Sequence, residues 1–179
     1  MLRSFRITAL IFCFFSLVAL AGLTGQAQET FDDPDGKYSL TLFKGWLAIV
    51  NKDRITGKND FQIVYGIRES GALKISTMDV DAKLAMPDVA LKHEQETLRF
   101  QPGYTKGKIE NFVVGAGQRT GALITYDFKN TAGQPMIGRN YFLRTSDTTV
   151  YVLRFTGRAN TLGSLRNQTD TMARSFKLK

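Results

Sequence analysis

The groups able to do chemistry are few. The chain carries one histidine and one cysteine. His93 lies in "LKHEQET" beside Glu94 and Glu96, and Asp79 and Asp81 stand upstream of it. A histidine near carboxylates is the minimum for general acid–base chemistry. Two aspartates one residue apart on a strand point to one side and could share a cation. Asp79, Asp81 and His93 therefore define one reading, a metal-assisted hydrolase or transferase. The spacing argues against it. No second histidine completes H-E-x-x-H. Neighbouring carboxylates on a helix are an ordinary solvated face, and His93 falls on the side expected to meet water. The sequence assigns no catalytic residue, no metal ligand and no cofactor.

Two loops imitate ligand sites. "FDDPDG" places Asp33, Asp35 and Gly36 at positions 3, 5 and 6 of a calcium loop, but Phe31 and Leu42 then fall where carboxylates are required. Asp-Pro-Asp-Gly is turn chemistry in its own right. "GAGQRTG" (Gly115 to Gly121) has a glycine spacing close to a phosphate loop. It runs into "ALITYDF", a strand, where a dinucleotide site needs a helix N-terminus. A hairpin turn is expected there.

Binding chemistry is better represented. Arg139 shares one strand face with Tyr141 and Leu143, Arg144 shares the other with Asn140 and Phe142, and Arg154 alternates with Tyr151, Leu153 and Phe155. Such basic–aromatic interleaving can make a binding surface, although arginine stems also lie over apolar surface with their heads in water or paired to acids such as Asp127 and Asp147. The candidate binding residues are Arg139, Arg144, Arg154, Tyr151 and the lone tryptophan, Trp46. Trp46 has a structural reading too: "KYSLTLFKGW" is an alternating strand ending at a Gly45 turn that returns Trp46 to the core.

The elements that must position these residues read mainly as strands. "YSLTLF", "WLAIV", "FQIVYGI" and "ALKISTMDV" come first, with a polar loop, "KDRITGKND", between the second and third. Met86 to Phe100 changes to helical spacing, with Pro87 and Asp88 in its first turn, Leu84, Leu91 and Leu98 seven apart, and "KHEQETLR" as a charged outer face. From Ile109 to Thr156, four strands joined by short connections predict an antiparallel meander. A final helix is expected from about Thr161 to Ser175, capped by Asn160, with Leu162, Leu165, Thr169, Met172 and Phe176 on one face.

Composition bounds the setting. Residues 1–27 read as a secretory signal peptide: Arg3 and Arg6 precede an apolar run from Ile7 to Leu20, and small residues allow cleavage after Ala21 or Ala27. The run is short of the roughly 18–20 apolar residues of a spanning helix, so no stable membrane span is expected after cleavage. Cleavage removes Cys13, leaving residues 28–179 as one disulfide-free domain held by its core. The formal charge is +8 and basic residues are scattered. That suits attraction to anionic envelope components, and export excludes nucleic acid as the natural partner.

Three patterns resemble the PsbP-like α/β/α-sandwich family, which includes photosystem PsbP proteins, bacterial DcrB-like envelope proteins and a eukaryotic Ran-binding relative. "YSLTLFKGW" is similar to that family's Y-S-hydrophobic-x-hydrophobic-P-x-G-W opening, with Phe43 where the family has proline. "GALITYDF" resembles its central strand, and "VYVLRFTG" followed by a helix and "MARSFKL" resembles its ending. The resemblance implies an α+β fold, an antiparallel sheet of N-terminal strands plus C-terminal meander with helices packed against it. It carries no metal ligand or photosystem contact onto this chain.

The reading is an exported, periplasmic or secreted, non-catalytic binding or accessory protein with an unknown extracytoplasmic protein or anionic envelope partner. The alternatives are a carrier of a small apolar ligand or lipid, with a cavity between sheet and helix, and the hydrolase above.

Overall fold

The computed structural model describes residues 28–52, 57, 59–114 and 119–179. The expected leader, most of the polar loop after Lys52 and Gly115 to Gln118 of the glycine-rich stretch lie outside the described residues. In chain order the elements are β1 (Gln28–Asp32), β2 (Tyr38–Phe43), β3 (Trp46–Lys52), β4 (Asn59–Tyr65), β5 (Ala72–Asp79), α1 (Met86–Glu96), β6 (Thr105–Val114), β7 (Arg119–Lys129), β8 (Pro135–Arg144), β9 (Thr149–Arg158), α2 (Ala159–Ser164), α3 (Arg166–Arg174) and β10 (Lys177–Leu178). A 3-10 turn, Leu98–Phe100, follows α1.

Seven strands form one antiparallel sheet in the order β3-β4-β5-β9-β8-β7-β6. The meander expected from Ile109 onward is its second half, and its first strand begins earlier, at Thr105. The crossover lies between β5 and β9, which pair along eight positions although α1 and the three strands β6, β7 and β8 separate them in sequence. The opening strand does not join this sheet. β2 pairs with β1 and with β10 in a separate three-stranded sheet that closes the two ends of the domain together. Neither β1 nor β10 is visible as a strand pattern in the sequence.

Alternation on each strand divides the large sheet into two apolar faces. One face carries Tyr141, Leu143, Leu153, Phe155 and Phe112 and packs against the small sheet and α2–α3. The other carries Ala122, Ile124, Phe142, Val150 and Val152 and packs against Val89, Ala90 and Leu98 of the α1 region. The architecture is α+β, a sheet with helices on both sides, as the sequence patterns imply.

Both helix expectations need correction in detail. The α1 segment does not present all of "KHEQETLR" to water. Glu94 is 7% exposed and pairs with Lys106 Nζ at 3.4 Å. His93 is half-buried with its ring edge-on to Phe142, centroids 5.3 Å apart. Val89, Ala90, His93 and Glu94 recur at three- and four-residue steps, so they all turn toward the sheet. The terminal helix is two helices broken at Leu165, and Asn160 lies inside the first. Gly163 and Ser164, weak helix formers, sit at the break. Leu162, Leu165, Thr169, Met172 and Phe176 are nonetheless all buried, as their spacing predicts.

Trp46 is 2% exposed and packs against Tyr65 and Phe155, with its Nε1 donating to Gln168 Oε1 of α3 at 3.2 Å. The turn before it depends on Gly45, whose φ of 93° is open to glycine at little cost. A Cβ there would stand 2.6 Å from Tyr65 Cε2.

Candidate functional site

β4 and β5 pair at only two positions, Ile63 with Leu73 and Val64 with Ala72. Beyond Leu73 the strands part. β5 continues along β9 to Asp79, and β4 continues along β3 to Asn59. The wedge between them is a groove of about 540 Å³ on the sheet. Arg68, Lys74 and Arg154 line it together with Asp60, Gln62 and Thr156.

Each cation reaches the groove by a different route. Arg68 sits in the β4–β5 turn, which is tied to the rest of the sheet by Arg158 N–H donating to Glu69 O at 2.8 Å. Lys74 is the first β5 residue past the last β4 pair. Arg154 is its direct cross-strand partner on β9. Partners in register project from the same sheet face, so two like charges stand side by side, an arrangement that costs stability. Among the described residues neither has a salt-bridge partner. Arg154 Nε is buried without a hydrogen-bond partner.

Arg154 also belongs to a polar cluster beneath α1. On its other side its cross-strand neighbour is Asn140, which is fully buried and accepts a hydrogen bond from Tyr126 Oη at 3.3 Å. Burial raises the Tyr126 phenol above its usual range, and the Arg154 charge opposes that. His93 is pushed below its ordinary value of 6.5, first by burial and then by Arg154. Asn140 Nδ2, Tyr104 Oη and Gln101 Oε1 are buried there without partners among the described residues.

The five candidate binding residues do not form one surface. Arg154 alone lines the groove. Arg144 projects from the α1 side, donating to the carbonyls of Leu84 and Asp147 at 2.6 Å each; it fastens the chain entering α1 to the β8–β9 hairpin. Trp46, Tyr151 and Arg139 are on the opposite face. Tyr151 packs on the rings of Tyr38 and Phe176. Arg139 is 6% exposed, donates to Asp170 Oδ1 at 2.7 Å and to Tyr141 Oη at 3.0 Å, and anchors α3 to β8. Tyr141 Oη donates to the same carboxylate oxygen at 2.6 Å, and burial raises its phenol well above the usual range.

The acid–base reading gains no geometry. Asp81 Oδ1 accepts the Lys83 N–H at 2.9 Å in a turn. Among the described residues, no three His, Cys, Asp or Glu side chains gather where they could hold a metal ion. Asp33, from the calcium-like loop, accepts the Lys37 N–H at 3.0 Å and closes a turn. Between α1 and the sheet, where an apolar carrier would hold its cargo, Val89, Leu98, Ile124 and Phe142 fill the space.

Sequence reasoning missed Arg68, Lys74 and Asp60. Strand alternation does put Lys74 and Ser76 on one polar face. What it lacks is the pairing of β5 with β9, which sets Lys74 against Arg154.

The class this architecture defines is the α/β/α sandwich with a long antiparallel sheet. Among solved structures, the cyanobacterial PsbP (CyanoP) of Synechocystis sp. PCC 6803 shares it with a TM-score of 0.59 at 12% identity, over 88% of this chain and 96% of that one. LpqN, involved in cell envelope biogenesis of Mycobacterium tuberculosis, gives 0.58 at 10% identity over 87% and 92%. The Ran-binding protein Mog1p of Saccharomyces cerevisiae gives 0.54 at 10% identity over 86% and 96%. At these identities the likeness is one of fold. No protein-family model and no curated protein sequence matches the chain.

Proposed function

We propose that this chain is an exported, non-catalytic binding module of the cell envelope that engages an anionic component in the β4–β5 groove. The observation that carries the reading is the groove lining: Arg68, Lys74 and Arg154 against the single carboxylate of Asp60. Low-dielectric walls with one sign of charge concentrate counter-ions of the other. The leader-like residues 1–27 and the basic composition support an extracytoplasmic setting, and the fold is one that LpqN, a protein of cell envelope biogenesis, also uses. No helix among the described residues is long and apolar enough to cross a membrane.

The test is binding of defined polyanions, phosphatidylglycerol vesicles and polyglutamate, to the chain and to Arg68→Glu/Lys74→Glu. Binding lost in that variant and kept in a distant charge reversal, Lys177→Glu, is the expected result. Equal binding by all three overturns the groove as the site. Cell fractionation with and without residues 1–27 tests export separately.

A further inference from the structure

Building on that reading, we infer that the groove is shaped for a phosphate monoester, held between Lys74 and Arg154 with Arg68 closing over it. Three observations converge on this chemistry. The first is charge. The described residues lining the groove carry three cations and one carboxylate, a surplus of two positive charges. A phosphate monoester carries about −1.5 to −2 near neutral pH, so it neutralises the groove where a diester or a single carboxylate does so only in part.

The second is the cross-strand pair. Lys74 and Arg154 are direct partners in register, and no acid answers them among the described residues. An oxyanion between them turns a repulsion into two charge-assisted hydrogen bonds. The third is Arg154 itself, which lines the groove and whose Nε is buried without a hydrogen-bond partner. A guanidinium presents its N–H groups as a fork that fits two oxygens of one phosphate, and lysine adds a point charge beside it. β4 makes room for this by leaving β5 at Leu73, so that Gln62, which would otherwise stand opposite Lys74, becomes part of the groove wall.

Phosphate monoesters come free or as lipid headgroups. Leu47 and Ile49 on β3 are 57% and 48% exposed on the groove's side of the sheet, with Leu47 paired to Val64 of the groove wall. They offer a shoulder to an acyl chain.

The experiment titrates the full chain with inorganic phosphate by calorimetry, and with phosphatidylcholine vesicles containing phosphatidic acid by co-sedimentation. Variants are Lys74→Gln and, in the exposed turn, Arg68→Gln, each checked for folding by circular dichroism. Phosphate binding weakened about tenfold or more in each variant is expected, the loss of roughly one charge-assisted hydrogen bond. Binding of phosphatidic acid vesicles beyond that of free phosphate identifies the lipid source, and equal binding the soluble one; both support the inference. No phosphate binding, or binding unchanged in both variants, overturns it. If phosphatidylglycerol or polyglutamate still binds in a Lys74-dependent way, the broader anion-binding reading stands while the monoester is rejected. If nothing binds in that way, both fall.

Discussion

The ring of Tyr126 lies across Gly138, its direct cross-strand neighbour, and its hydroxyl reaches on to Asn140 Oδ1. A side chain on Gly138 would overlap the ring. The glycine therefore sets how far the phenol extends over β8 toward Arg154.

Gly138→Ala is accordingly expected to cost about 2 kcal/mol through overpacking. Combined with Tyr126→Ala it should cost less than the two single changes together, because the ring it displaces is gone. Urea unfolding of the four proteins measures the coupling, and strict additivity would show that the ring does not rest on the glycine.

Asp170→Ala leaves Arg139 buried with its charge unanswered. A loss of about 3 kcal/mol is expected, toward the lower end for a buried pair because the Asp170 carboxylate is 34% exposed. Replacing both members, Arg139→Met with Asp170→Leu, should restore much of that. A double variant less stable than Asp170→Ala contradicts the account.

Trp46 reports on the core. Its emission should be blue-shifted and resistant to acrylamide, given an exposure of 2%. Trp46→Ala should cost about 3–5 kcal/mol, and Gln168→Ala about 1 kcal/mol by stranding the indole N–H. Easy quenching in the native state would place the ring in solvent and remove the structural reading.

His93 supplies a pH signature. Its folded-state pKa is held below 6.5 by burial, with Arg154 adding to the effect and Glu96 opposing it. The unfolded chain therefore takes up the proton first. The stability of the neutral ring is present above about pH 6.5 and is lost as pH falls through and below that value. The wild-type urea midpoint should drop more between about pH 7 and about pH 5 than that of His93→Gln. Parallel curves would show that His93 titrates alike in both states.

Much of the fold was legible because strand alternation and short connections are local signals. Tyr38, Leu40 and Leu42 do face inward together, and the meander order follows from hairpins too short for crossovers. The break at Leu165 was not legible, since Leu162 and Thr169 keep a helical spacing through it. The groove was less so. Arg154 was picked out by its alternation with Tyr151, Leu153 and Phe155, which project from the opposite face, Leu153 and Phe155 within the core and Tyr151 packed against it. What makes Arg154 notable is Lys74, eighty residues away in the chain. Only the pairing of non-sequential strands puts them together.

The two-position seam between β4 and β5 has a consequence for motion. The β3–β4 hairpin is held to the body by that seam, the Tyr65 N–H to Gly71 O bond, the Trp46 anchor and, farther out, only the Phe61 ring on Phe31 and an exposed Asn59 Nδ2 to Asp35 Oδ1 bond at 3.4 Å among the described residues, whereas β5 is zipped to β9 along its whole length. An isolated hairpin has little stability of its own. The hairpin should therefore detach as a unit at a lower free energy than global unfolding, with amides of Ile49 to Lys52 and Asn59 to Gln62 exchanging ahead of those in β7 and β8. One wall of the groove is thus a door on a short hinge, and whatever occupies the groove will be felt first as slower exchange in that door.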